Sequence, residues 1–128
     1  METIITNSIK ISVESFFQEE YSKPLANQYV FSYRVTIENL SPHAVQLLTR
    51  YWQITDGVGT ARTVSGEGVI GKQPILMPGQ SHQYVSWCPL DTPLGKMKGT
   101  YTMLNMSNHT TFEATIPAFK LISPFILN

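Results

Sequence analysis

The sequence contains little charge and no surplus of either sign. Among its 128 residues, nine Lys and Arg balance nine Asp and Glu, and charged residues make up only 14% of the chain. General binders of nucleic acid or of acidic membranes need an excess of Lys and Arg to displace counterions. The composition therefore excludes both classes and favours a protein surface over a polyanion as a binding partner.

Cysteine is nearly absent as well. Cys88 is the single one, so no disulfide can form within the chain, and a secreted disulfide scaffold is excluded. The first residues, METIITNSIKI, lack the basic segment and apolar run of a signal peptide, and no apolar stretch approaches the ~20 residues of a membrane-spanning helix. We expect a cytoplasmic protein, and the length predicts one domain over residues 1–128.

A helical stripe is the third feature that the sequence lacks. Apolar residues instead recur at every second position, and in the segment 29–38 they are Tyr29, Phe31, Tyr33, Val35 and Ile37. This spacing predicts a half-buried β-strand whose aromatic face lies on the core. The segments 9–14 and 112–116 repeat the pattern. Pro117 then predicts a bulge or an edge, because proline has no amide to donate to a sheet.

Turn-forming residues separate these strands at nearly regular intervals. Short strands with turns between them predict an all-β fold, an antiparallel β-sandwich of the immunoglobulin or fibronectin type III kind. The segment Leu76-Met-Pro-Gly-Gln80, followed by Tyr84, resembles the tyrosine corner of such sandwiches. In that corner, the tyrosine hydroxyl bonds to the backbone upstream.

A glycine-rich run matches the G-x-G-x-x-G fingerprint through Gly66, Gly68 and Gly71. The fingerprint binds dinucleotides when a helix N-terminus follows it, and here Lys72-Gln-Pro74 follows and excludes such a helix. Two interpretations stay open. The glycines permit a bulge or a close approach of backbones, or their amides form an anion-binding nest beside Lys72.

Arg50 has the same parity as Leu48, Trp52 and Ile54, so its guanidinium lies within an apolar row. A cation in such a row must pair with a carboxylate or reach the surface at the sheet edge. Structural pairing with Glu38 or Glu67 is the favoured interpretation. The alternative is an arginine that faces a ligand beside the glycine-rich loop.

Catalytic and metal-binding patterns do not occur in the local sequence. We find no nucleophile elbow, no Cys–His pair and no close pair of carboxylates, and the histidines lack the spacing of a metal motif. Cys88 is predicted to be a buried, inert thiol. We therefore assign no catalytic residue, no metal site and no cofactor.

Two adjacent aromatic residues, Phe16 and Phe17, break the alternation of their strand. At least one of these rings is predicted to face outward unless a bulge intervenes. An apolar patch on the surface would indicate a partner protein or a homo-oligomer contact.

The ordered motifs resemble one known family over nearly the whole chain. They include V-Q-L-L-T-R-Y-W at 45–52, G-E-G-V-I-G-K-Q-P at 66–74 and T-P-L-G-K-M-K-G-T-Y-T-M at 92–103. This combination is similar to the ApaG family, also called CorD in bacteria. One departure is Trp87, where the family often has a small glycine after Tyr-x-Ser.

The resemblance implies a fibronectin type III-like or immunoglobulin-like sandwich and little chemistry. It implies an association with cobalt and magnesium tolerance in bacterial members, and protein–protein contact in eukaryotic relatives that carry the domain in adaptor proteins. We expect a non-enzymatic module that binds a protein, with an indirect role in cobalt and magnesium tolerance. The alternative is a phosphate or pyrophosphate ligand held by the loop 66–72 with Arg50 or Arg62, and a third hypothesis is divalent-cation binding.

Overall fold

Most consecutive strands are joined by short loops. In a computed structural model that describes residues 1–127, the chain forms nine β-strands and three short 3₁₀ helices. The strands are β1 (Glu2–Thr6), β2 (Ile9–Phe17), β3 (Tyr29–Asn39), β4 (Val45–Asp56), β5 (Ala61–Glu67), β6 (Ile75–Leu76), β7 (Ser81–Leu90), β8 (Leu94–Asn105) and β9 (Thr110–Ile122). The helices are Glu19–Tyr21, Pro24–Ala26 and Pro124–Leu127.

Two antiparallel sheets are built from these strands. The first sheet has the order β1-β2-β3-β7, and the second has the order β5-β4-β8-β9, with β6 also paired to β4. The chain crosses between the sheets after β3, after β6 and after β7, as in immunoglobulin-like sandwiches. The predicted all-β sandwich is therefore confirmed.

The core lies between the sheets, on the face that the alternation predicted. The five apolar residues of odd number in β3 are all buried. Trp52 of β4 is at the centre, with its ring centroid 5.3 Å from that of Tyr33 and 6.0 Å from that of Phe119. The predicted irregularity at Pro117 is also confirmed, because the register between β8 and β9 shifts between the pairs Met97–Phe119 and Gly99–Ile116.

The predicted tyrosine corner is wrong. Tyr84 lies within β7 and faces the core, and its hydroxyl forms a hydrogen bond with the hydroxyl of Tyr101 on β8 of the opposite sheet. Burial raises the pKa of Tyr84 and of Tyr101, since an ionised phenol would be poorly solvated there. The pair therefore connects the two sheets through the core.

Hydrogen bonds from side chains to carbonyl oxygens connect the two sheets on both sides of the sandwich. On the side of β1, β2 and β9, hydrogen bonds connect the sheets: Asn7 donates to the carbonyl oxygen of Glu113 (2.8 Å), and Ser15 donates to that of Lys120 (3.1 Å). On the other side lie the edge strands β5 and β7. There, Arg62 of β5 reaches across and donates to the carbonyl oxygen of Pro89 on β7 (2.7 Å).

Candidate functional site

The glycine-rich run ends strand β5 and forms a tight hairpin rather than the start of a helix. Val69 and Lys72 bond to each other through their backbones, with N···O distances of 2.8 and 3.0 Å. The two residues between them have positive φ, 49° at Ile70 and 71° at Gly71. Positive φ at both central residues is the geometry of a type I′ turn. A turn, and not a helix, follows the first two glycines of the motif, as the sequence predicted.

Several amides of the loop are already bonded within the chain. The amide of Gly68 donates to the carbonyl oxygen of Leu48 at 2.8 Å, and those of Val69 and Lys72 form the turn. An added Cβ on Gly68 would lie 2.1 Å from the carbonyl oxygen of Lys72. Gly68 therefore allows two backbone segments to touch, which supports the structural interpretation and removes three donors from an anion-binding nest.

Arg50 bonds to backbone and not to a carboxylate. Its Nη1 donates to the carbonyl oxygens of Glu67 (2.9 Å) and Gly68 (3.0 Å). The predicted pairing with the carboxylate of Glu38 or Glu67 is therefore wrong. Arg50 lies opposite Gly66 in the β4–β5 register, and because Gly66 has no side chain, the guanidinium passes over it to the carbonyls beyond.

The structure brings Arg50 together with Gly66 and Gly68, whereas Gly71 lies at the tip of the turn with no atom within 4 Å of an added Cβ. Lys72 closes that turn and is exposed. The candidate site residues therefore divide into a packed group at the end of β5 and an exposed turn.

Lys72 also affects a histidine of the other sheet. Partial burial, and secondly the cation of Lys72, lower the pKa of His82 on β7 below the ordinary value for histidine. Lys72 therefore contributes to the electrostatic environment of His82. The folded protein therefore binds a proton at His82 less readily than the unfolded chain does. Because of this difference, the free energy of unfolding decreases as the pH falls through about 6.5.

We predict that Lys72→Gln raises the pKa of His82 toward the ordinary value, because the repelling cation is removed. An NMR titration of the histidine ring protons measures this shift. Lys10→Gln, which removes the same charge from β2, serves as the control. An unchanged pKa of His82 in the Lys72 variant would contradict the influence of the Lys72 charge on this histidine.

Cys88 confirms the prediction of a buried thiol. It is 2% exposed, and burial raises the pKa of its thiol, with Arg62 acting in the opposite direction as a weaker influence. A raised pKa disfavours the thiolate, which is the reactive form of cysteine. The structure thus favours a packing role for this side chain.

The outer face of the first sheet carries exposed apolar side chains. We define the aromatic outer face as Phe16 (41% exposed), Tyr21 (61%), Val85 (50%) and Trp87 (50%). Phe16 and Trp87 lie on either side of Ser32 in the register of β2, β3 and β7. The Tyr21 and Trp87 rings meet edge to face, with centroids 5.4 Å apart.

The prediction for the Phe16–Phe17 pair is confirmed. Phe17 turns inward and packs against Phe31 with ring centroids 5.4 Å apart, whereas Phe16 faces outward. The guanidinium of Arg34 lies 5.5 Å from the Phe16 ring centroid and forms an ion pair with Glu14 at 2.8 Å. Sequence reasoning missed Tyr21, Val85 and Trp87 as members of this surface, because only the strand register brings them together with Phe16.

Over residues 1–127, no group of three or more His, Cys, Asp or Glu side chains is arranged to hold a metal ion. In the same part of the chain, no helix has the length and apolar character that crossing a membrane would require.

Comparisons with known protein sequences all indicate one family. The sequence model of the ApaG domain matches residues 19–105. Proteins named ApaG from Mesorhizobium japonicum and Brucella abortus are each 50% identical over 124 residues, which are 97% of this chain and 95% of the relative.

Solved structures agree with this similarity. The crystal structure of a protein named ApaA from Bordetella pertussis is 43% identical, with a TM-score of 0.88 over 91% of this chain and 94% of that one. A second X-ray structure, from a structural genomics consortium, is 40% identical, with a TM-score of 0.87 over 98% of this chain and 94% of the other.

Proposed function

This chain belongs to the ApaG domain family, and from that premise we propose that it is a non-catalytic binding module whose ligand is another protein. The single observation that carries the proposal is the aromatic outer face. Its four members are each at least 41% exposed. Three lie on the outer side of one sheet, and Tyr21, from the helix Glu19–Tyr21, packs against Trp87. Exposed apolar side chains that lie together, with polar groups beside them, are typical of sites of protein contact.

The chemistry of this surface is that of energetic centres in protein interfaces. Trp, Tyr and Arg are the residue types whose truncation most often costs a complex about 2 kcal/mol or more. Trp87 and Tyr21 supply the first two, and Arg34 beside Phe16 supplies the third. Their backbones belong mostly to paired strands, so a partner would meet a surface that is already ordered.

The strand β7 adds a second means of recognition. It is an edge strand of the first sheet, and its solvent-facing side chains include Val85 and Trp87. An extended segment of a partner can add to such an edge through main-chain hydrogen bonds. The partner would then contact the aromatic outer face with its side chains.

The alternative function, a phosphate or pyrophosphate bound by the loop 66–72, has less support. Amides of Gly68, Val69 and Lys72 are engaged within the chain and are not available to an anion. The family resemblance implies a connection to cobalt and magnesium tolerance, and we propose that this connection acts through the protein partner. We also propose the cytoplasm as the compartment, on the basis of the lone reduced thiol at Cys88.

The proposed function predicts that the double variant Phe16→Ala, Trp87→Ala loses its protein partner without losing its fold. Truncating two such side chains should weaken the complex roughly 30-fold or more, because one is already worth about 2 kcal/mol. Affinity capture from cell extract with tagged wild-type and variant protein, followed by titration of the retained partner, measures the change.

Met77→Ala is the matched control, since Met77 is 52% exposed in the turn before β7 and outside the aromatic outer face. Equal retention by the wild type and the double variant would contradict the proposal. Sedimentation of the purified chain distinguishes the remaining case, in which the retained partner is a second copy of this protein.

A further inference from the structure

The side of the sandwich between the edge strands β5 and β7 contains a second feature, distinct from the aromatic outer face. A cleft of 260 Å³ lies between the strands β4 and β5 of one sheet and β7 of the other. Arg50 and Arg62 line it from the second sheet, and Ser86, Trp87 and Cys88 line it from the first. This volume lies just below the range of about 300–1,000 Å³ that is usual for small-molecule sites.

Both arginines enter this cleft without a carboxylate to neutralise them. The residues that line the cleft include no Asp or Glu. In the part of the chain that the structure describes, the ion pair is between Arg34 and Glu14, on the outer face of the first sheet. Two guanidinium groups therefore line one small volume, and no carboxylate lines it with them.

Backbone contacts fix the position of both guanidinium groups. Nη1 of Arg50 donates to two carbonyl oxygens of β5 and the loop, and Nη2 of Arg62 donates to the carbonyl oxygen of Pro89 at 2.7 Å. Carbonyl oxygens hold a guanidinium in place but do not cancel its charge. Each guanidinium has five N–H donors in a planar fork, so these contacts leave other donors of both side chains for a ligand.

The remaining lining is suited to an apolar body with one polar group. Trp52, Val64 and Met97 provide apolar surface, and Ser86 provides a hydroxyl. Ser86 faces Tyr33 across the β3–β7 pair, so its position is fixed by the ladder. The combination of fixed cations with an apolar wall is typical of sites for small organic anions.

We propose that this cleft binds a small oxyanion, a carboxylate or a phosphate monoester attached to a compact apolar group, between Arg50 and Arg62. The ligand differs from the protein partner of the proposed function. The site differs from the loop 66–72, because its donors are side chains of β4 and β5 and not loop amides. Arg62 is exposed whereas Arg50 is half-buried, so Arg62 is the arginine chosen for substitution.

The test is an NMR titration of the full chain with phenyl phosphate and, separately, with benzoate. We expect saturable shifts of the Arg50 and Arg62 side-chain N–H signals and of the Ser86 amide signal. Whichever probe binds more tightly identifies the oxyanion class. Benzyl alcohol, which has a similar ring but no charge, should leave these signals in place.

Arg62→Gln should weaken the binding of the tighter probe about ten-fold or more, the effect of losing one charge-assisted contact. Lys120→Gln is the matched control, because it removes the same charge from the three-lysine group with Lys96 and Lys98 on the other side of the second sheet. We expect its effect to be less than about two-fold, as for a screened distant charge.

The proposal is overturned if neither anionic probe, at a concentration of order 10 mM, gives saturable shifts at these signals, because such a concentration would occupy even a weak site. It is also overturned if Arg62→Gln and Lys120→Gln weaken binding equally, since binding would then follow net charge alone. Because no protein partner is used, failure here leaves the capture experiment on the aromatic outer face unaffected.

Discussion

Gly68→Ala is expected to lower the free energy of unfolding by about 2–5 kcal/mol. Gly68 has a φ of 62°, which an L-residue adopts at a cost of about 1–2 kcal/mol. A Cβ there would also lie 2.1 Å from the carbonyl oxygen of Lys72, and backbone cannot move aside as a flexible side chain can. Urea unfolding followed by tryptophan fluorescence measures the loss.

Gly71→Ala is the matched control for this prediction. Gly71 has a similar φ of 71°, but an added Cβ meets no atom within 4 Å. Its cost should therefore be confined to the conformational part, about 1–2 kcal/mol. If the two variants were equally stable, Gly68 would not be required for the contact between backbone segments, and a ligand-binding role of the glycines would regain support.

Trp52→Ala should be the most destabilising single truncation in the core, with a loss of about 3–5 kcal/mol. The indole is 2% exposed and lies among the rings of Tyr33, Tyr101 and Phe119, with centroids 5.3–6.5 Å away. Removing it leaves a cavity between the two sheets that the surrounding strands cannot fill. Urea unfolding followed by circular dichroism measures the effect without relying on the lost indole.

Tyr51→Ala is the control, because it truncates the neighbouring aromatic residue on the opposite face of β4. Tyr51 is 39% exposed, so we expect a loss below about 1 kcal/mol, as for surface positions. Similar losses for the two variants would show that β4 does not present Trp52 to the core, and would contradict the register described above.

Much of the fold could be predicted because apolar alternation records which face of a strand is buried. The five odd-numbered apolar positions of β3 are buried as expected, and proline chemistry predicted the irregularity at Pro117. The same reasoning was sufficient to exclude a helix after Gly71. These features depend on local sequence, so no knowledge of distant strands was needed.

Strands β1 and β5 escaped prediction for a physical reason. They lie at edges of the two sheets and bury few or no side chains, so their sequences carry no alternation. A weaker signal for β1 was present in the turn that follows it. Asn7 and Ser8 both have positive φ there, 49° and 62°, and asparagine favours that conformation.

The partners of Arg50 and Tyr84 could not be predicted, because both depend on long-range register. Arg50 donates to backbone carbonyls that a glycine opposite it leaves accessible. Tyr84 meets Tyr101 only when the two sheets are stacked in this alignment. The aromatic outer face likewise appears only after β2, β3 and β7 are placed side by side.

Site-specific photo-crosslinking in intact cells tests the central claim, that the aromatic outer face recognises another protein. A photoreactive phenylalanine at Val85 lies within that face, and one at Lys98 lies exposed on the outer side of the second sheet. We predict a discrete adduct with a different protein from position 85 and none from position 98. Adducts from position 98 alone, or equal adducts from both positions, would contradict the claim.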